Sequence, residues 1–138
     1  MKDTLRPGIR HELTHVVTDD QTVPNVYPES EAFRAMPAVF ATAYMVGLIE
    51  WTCMQALEPH LDPGEQSLGV HVDFSHDAAT PPGLAVTVKV EVTAVEGRRV
   101  TFRTEAHDGV DSISQGTHAR FVIDGERFRK KLSQKRAS

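Results

Sequence analysis

The clearest periodicity in the chain repeats every two residues: Leu84, Val86, Val88, Val90 and Val92 are apolar, while Thr87, Lys89, Glu91 and Thr93 between them are polar. Side chains of a strand point alternately to opposite faces, so this run predicts a strand with one buried face. Leu68, Val70, Val72 and Phe74 predict a strand before it. Val100, Phe102 and Ala106 predict one after it, entered through an EGRR turn. The DGVD turn at Asp108 to Asp111 leads into a fourth strand ending near Ile123, and the four together read as a meander. Nearer the N-terminus, Ile9, Leu13 and Val17 share one parity with His11 and His15, which predicts a short strand from about Gly8 to Thr18.

A different pattern runs from Pro37 to Glu58, where PAVFATAYMVGLIEWTCMQALE is apolar on nearly every side. It opens with proline at a first helical position and stops before Pro59, so it predicts one helix roughly 30 Å long, buried on every side. Gly47 is the place where a strand would approach its backbone. Ahead of it, residues from about 20 to 36 mix proline and small polar residues with Val23, Val26, Tyr27 and Phe33, the composition of a folded lid or loop rather than a free linker. Residues from about 125 to 138 are basic and polar, with Phe128 and Leu132 as anchors of a short helix or a frayed end. The order predicts a single α+β domain over residues 1–138, an antiparallel sheet wrapped around one long central helix. Such a sheet has edges, and pairing between two copies in a homodimer covers them.

Composition narrows the function. A net charge of -4 argues against a broad basic face and hence against nucleic acid, leaving small molecules or protein partners. The single cysteine, Cys53, has no internal disulfide partner and reads as a small core residue. The N-terminal MKDTLRPGIRHELTH lacks the apolar run of a signal peptide, and Glu50 interrupts the longest apolar stretch before it could span a bilayer. The expectation is a cytoplasmic protein with no membrane partner.

Glu50 is the most informative residue, a carboxylate among Val46, Leu48, Ile49 and Met54 on a helix expected to be buried. Burying that charge without partners is costly, so it is either satisfied by a local hydrogen bond or cation, or placed there to react. His76 continues the parity of Leu68 to Phe74, which directs it to the sheet face that packs on the helix, where it would meet Glu50. An imidazole held by a carboxylate is a general base near neutral pH; the alternative is a satisfied histidine at a strand end. Gly69 marks either a bulge where a ligand reaches the backbone N–H or simple close packing on the helix. Arg120 is a candidate for binding a carbonyl or phosphate, or else an exposed strand arginine. His11, Glu12 and His15 spell the zincin motif H-E-x-x-H, but that site needs a helix, and the Pro7–Gly8 break with flanking β-branched residues favours a strand, so no metal is expected.

The wording of the chain resembles the fluoroacetyl-CoA thioesterase family of hotdog-fold proteins. The matching stretches are YPES at Tyr27 to Ser30, VFA at Val39 to Ala41, MVGLIEW at Met45 to Trp51 and PGEQSLG at Pro63 to Gly69. AATPPGLAVTV at Ala78 to Val88, VEGRR at Val95 to Arg99, AHDGVD at Ala106 to Asp111 and GTHAR at Gly116 to Arg120 complete a set that runs through almost the whole chain. The resemblance implies a hotdog dimer with sites near the subunit interface and a catalytic trio at Thr42, Glu50 and His76. It also implies a substrate-contacting amide at Gly69 and a ligand-binding arginine at Arg120. In the lid, Phe33 matches one of two family phenylalanines, whereas Met36 stands at the second; methionine lacks the fixed edge and face of an aromatic ring, so fluorine selectivity is the property this departure touches.

The expected activity is hydrolysis of a small acyl-CoA, fluoroacetyl-CoA or a related short one, with coenzyme A as part of the substrate and no separate cofactor. The alternatives are a hotdog acyl-CoA hydratase and a non-catalytic acyl-CoA binding module. Thr42 lies eight positions before Glu50, about 12 Å along one straight helix. It must therefore precede the helix, touch another part of the ligand, or work with Glu50 of another subunit. Arg98, Arg99 and the basic tail are candidates for the coenzyme A phosphates.

Overall fold

The computed structural model describes all residues, 1–138. Its strands are β1 (Arg10–Val16), β2 (Glu65–Phe74), β3 (Ala85–Glu96), β4 (Arg99–His107) and β5 (Ser112–Asp124), and its helices are α1 (Glu31–Arg34), α2 (Thr42–Leu57) and α3 (Gly125–Ala137). The strands form one antiparallel sheet in the order β1-β3-β4-β5-β2. The sheet curls around α2 in the expected hotdog arrangement.

The alternating valines of β3 (Val86, Val88, Val90, Val92) bury one face, and Val100, Phe102 and Ala106 of β4 continue it. They pack against Met45, Leu48, Ile49, Cys53, Ala56 and Leu57 of α2. Each large apolar side chain so buried contributes about 1.5–3 kcal/mol relative to exposure. The β3–β4 hairpin closes over two residues, with Gly97 at φ 62° in the position that a type II′ turn reserves for glycine. No helix is long and apolar enough to cross a membrane.

Four expectations are corrected. The helix starts at Thr42, not Pro37, because the N–H groups of Phe40 and Ala41 are drawn to Thr80 O and Gln21 O, which holds that stretch extended. It is also not buried on every side: Tyr44, Gly47, Trp51 and Met54 form an exposed, largely apolar stripe. No strand approaches Gly47, whose missing side chain faces open space. Finally, β2 does not sit beside β3; it crosses to the far edge and pairs with β5, so the meander comprises only β3, β4 and β5.

The lid is an excursion with a closed base. Thr22 and Phe40 bridge, and Val23 N–H donates to Val39 O, so the chain leaves and returns side by side. Its tip is α1, capped by Ser30 Oγ accepting from Phe33 N–H. The Phe33 ring packs on Tyr27 with centroids 5.5 Å apart, while Met36 is half exposed.

Candidate active site

Thr42 is the exposed first residue of α2, and its hydroxyl lies 2.7 Å from His76 Nδ1. Ala41 offers no side-chain cap, so the N–H groups of the first helical turn have no side-chain acceptor there. His76 sits in the loop between β2 and β3. Backbone bonds on both sides fix it, from Ser75 N–H to Gln115 O and from Asp77 N–H to Ile113 O. Burial pushes the imidazole below its ordinary pKa, against a smaller upward pull from Asp77, which favours the neutral ring. Its Nε2 is buried without a hydrogen-bond partner in the chain.

One carboxylate fastens the two pieces of backbone that carry this pair. Asp108, in the β4–β5 turn, accepts from Thr80 Oγ1 at 2.7 Å and from the N–H groups of Val110 and Asp111. Burial alone would raise its pKa, but these hydrogen bonds outweigh it and hold the carboxyl below the usual range. Thr80 lies in the His76 loop, and its carbonyl takes the Phe40 N–H just before Thr42. The turn therefore sets the position of both members.

Glu50 lies on the same helix as Thr42 but in other company. Its Oε2 accepts from Arg120 Nη1 at 2.9 Å, and its side chain is 35% exposed, whereas Arg120 is buried in β5. The other edge of the guanidinium is held by Ser67, with Nε donating to Oγ and Nη2 to the carbonyl. His118, fully buried, lies 3.1 Å from Nη1 through Nε2 and 2.8 Å from His71 O through Nδ1. Burial pushes the His118 pKa down, the Arg120 charge adds to that, and the His71 hydrogen bond opposes it. Gly69 supplies the room: a Cβ there would sit 2.5 Å from Glu50 Oε2 and 3.3 Å from the His118 ring.

Within one chain His76 therefore meets Thr42, not Glu50, which corrects the parity argument. The register of β2 shifts between Gly69 and His71, and the strand ends at Phe74, so alternation counted from Leu68 does not carry through to position 76. Leu68 and its cross-strand partner Phe121 face outward, while Gly69, opposite Arg120, faces Glu50. Glu50 has found its cation, and Arg120 is no exposed strand arginine. Thr42 opens α2 rather than preceding it, so the eight-residue separation from Glu50 stands.

The H-E-x-x-H stretch falls on β1, where His11 bonds Gln55 and His15 bonds Gln21. Strand rise puts those histidines about 13 Å apart at Cα. Cys53 is buried, and desolvation pushes its thiol up to about 12. Arg98 is occupied by Glu65 and Val122 O. Ser67, Asp108, Thr80 and His118 have no local sequence signature as site residues; the shared parity of His118 and Arg120 on β5 is the one pattern that points to any of them.

A curled sheet around a helix defines a hotdog protein, and comparison with solved structures narrows that to thioesterases. A Thermus thermophilus thioesterase superfamily member, 28% identical, superposes over 99% of both chains with a TM-score of 0.83. A fluoroacetyl-CoA thioesterase variant in complex with acetyl-CoA, 52% identical, superposes over 95% of this chain and 98% of that one with a TM-score of 0.93. The fluoroacetyl-CoA thioesterase of Streptantibioticus cattleyicolor is 53% identical over 135 residues, 98% of this chain and 97% of its own. Residues 17–126 match the family of fluoroacetyl-CoA-specific thioesterases. The chain belongs to that family.

Proposed function

We propose that this thioesterase hydrolyses a small acyl-CoA, fluoroacetyl-CoA or a related short acyl-CoA, at sites shared between the two subunits of a cytoplasmic homodimer. The observation that carries the reading is the 2.7 Å contact between Thr42 Oγ1 and a neutral, partly buried His76. A neutral imidazole takes a proton from a hydroxyl or from a water held beside it. The Gly69 amide is assigned the thioester carbonyl, whose developing oxyanion needs a fixed donor. Arg120 engages one oxygen of Glu50 and leaves Oε1 without a hydrogen bond in the chain, available to attack or to orient a nucleophile. Four of its five donor hydrogens are taken by Ser67, Glu50 and His118, so Arg120 is assigned to holding Glu50, with one Nη2 hydrogen left for the ligand.

A second copy joins the halves. Thr42 and Glu50 are about 12 Å apart along α2, too far for one small acyl group to touch both. The exposed stripe of Tyr44, Gly47, Trp51 and Met54 lies on that helix, and the β2 edge exposes Leu68, Val70 and Val72. Both surfaces want cover, and a two-fold axis beside them brings Glu50 and Gly69 of one copy to Thr42 and His76 of the other. The lid tip, with Phe33 and Met36, is assigned to the acyl group. The coenzyme A tail is assigned to a groove of about 650 Å³ that runs from Ser67 past Trp51 and Leu68 to Arg129 on the basic α3.

The test is free-thiol release from acetyl-, fluoroacetyl- and longer acyl-CoAs, compared by kcat/KM. Hydrolysis of short acyl-CoAs is expected. Release from no member of the panel, or hydration of an enoyl-CoA with its thioester left intact, contradicts the reading. A single turnover in isotopically labelled water separates the routes: label in the Glu50 carboxylate marks an anhydride with that residue, and its absence speaks against one.

A further inference from the structure

His118 enters none of those steps, yet it is a fully buried titratable side chain packed against the Glu50–Arg120 ion pair. Its two contacts leave it one form. The His71 carbonyl can only accept and the Arg120 guanidinium can only donate, so the ring carries its proton on Nδ1 and accepts at Nε2. The two hydrogens of Arg120 Nη1 are then divided between Glu50 Oε2 at 2.9 Å and His118 Nε2 at 3.1 Å. Ser67 holds the opposite edge of the fork. The guanidinium is thus clamped at both ends, and a side chain at position 69 would press on the Glu50 oxygen it holds.

We propose that His118 is a positioning residue for Glu50: the neutral ring fixes the plane of Arg120, Arg120 fixes Glu50 Oε2, and Glu50 Oε1 is thereby aimed at the thioester. Protonating the ring at Nε2 sets N–H against N–H and releases Arg120, so the clamp opens as pH falls. Burial and the neighbouring cations outweigh what the His71 carbonyl and Glu50 offer an imidazolium. From β5 it faces Arg120, and from α2 it faces Glu50, already taken by Arg120. From β2 it faces the His71 carbonyl, the cationic edge of any protonated His71 side chain, and the Phe74 ring at 6.4 Å; from β4 its cross-strand partner is Phe102. The inference rests on the reading that Glu50 takes part in thioester hydrolysis.

Two variants test it. Glutamine places an acceptor near the former Nε2 and does not titrate, whereas asparagine keeps a donor for His71 O but cannot reach Arg120. His118→Asn is expected to lose kcat by about 10- to 100-fold with little change in KM, the size of effect that misplacing a reacting group produces. His118→Gln is expected to stay within about threefold of the parent and to lose one group from the acid limb of the kcat profile. Melting temperatures accompany both, because a purely structural role would lower them while leaving the acid limb in place. Parent-like kcat and acid limb in a folded His118→Asn, or an equal loss of kcat in a folded His118→Gln, overturns the proposal. Imidazole ¹⁵N shifts of the parent at pH 7 give a readout independent of activity: a proton on Nδ1 alone supports the clamp, and a proton on Nε2 refutes it. Should the parent release thiol from no acyl-CoA, the thioesterase reading fails, while the ¹⁵N result still decides whether the clamp exists.

Discussion

Thr42 and His76 stand on backbone outside the sheet, one at the mouth of a helix and the other in a loop, and their connection to each other is a single exposed hydrogen bond. Glu50, Arg120 and His118 stand on the central helix and the fifth strand, where the arginine alone makes four contacts within the core. The contrast separates two tasks. The first half is positioned by main-chain bonds that do not depend on what its side chains are, so those side chains are free to be chosen for reactivity. The second half is held by its own side chains, so its chemistry and its stability are the same contacts.

Substitutions should expose that difference, and the largest effect is expected where chemistry is uncoupled from stability. His76→Ala should lower kcat by about 100- to 10,000-fold, the usual contribution of a general base, with the melting temperature nearly unchanged because the loop is held through Ser75 and Asp77. Circular-dichroism melts run beside thiol-release assays check both halves of the claim. Arg120→Met should instead lower stability by about 3 kcal/mol, at the low end for breaking a buried pair because Glu50 is partly solvated. Urea unfolding measures it, and a parent-like midpoint would erase the contrast.

Smaller effects sharpen the boundary. Asp108→Ala strands the Thr80 hydroxyl and two turn N–H groups, at a cost of about 1–3 kcal/mol in the same urea experiment. The sign with pH follows from the depressed carboxyl: its contribution is complete above about 3.9, the ordinary aspartate value, and is lost as pH falls through the lower folded value. Gly69→Ala should lower kcat about tenfold by pushing aside the Glu50 oxygen that Arg120 holds, and should lower stability with it, by less than Arg120→Met because Glu50 is partly solvated. The smallest effect is a displacement of the acid limb of kcat/KM to below about 6.5, the outcome expected if His76 is the proposed general base, since burial lowers its pKa.

The same contrast governs how much could be read from the sequence. The valine alternation of β3 and the apolar run of α2 announced the sheet and its central helix because burial imposes a period on a strand and a continuous apolar stretch on a core helix. Glu50 stood out because a carboxylate among apolar residues demands a partner, and the sheet supplies Arg120. The helix start was hidden by non-local bonds: nothing near Phe40 in the chain reveals that its N–H belongs to Thr80. The destination of His76 was hidden because β2 ends at Phe74 and the loop beyond it is placed by bonds to Gln115 and Ile113, which counting by twos does not reveal. His118 was legible as a residue that shares a face with Arg120, but its confinement between an obligate acceptor and an obligate donor exists only in the folded sheet.

The central claim, that two copies bring the halves into one site, is tested most directly by mixing inactive variants. Thr42→Ala and Glu50→Gln homodimers would each be assayed alone, then unfolded together, refolded and assayed again on the best short acyl-CoA. Each mixed dimer would carry one site with both substitutions and one with neither. Random pairing should therefore restore roughly a quarter of the parent rate. A mixture that forms mixed dimers yet stays as inactive as its components would contradict the shared site and return Thr42 and Glu50 to the same subunit.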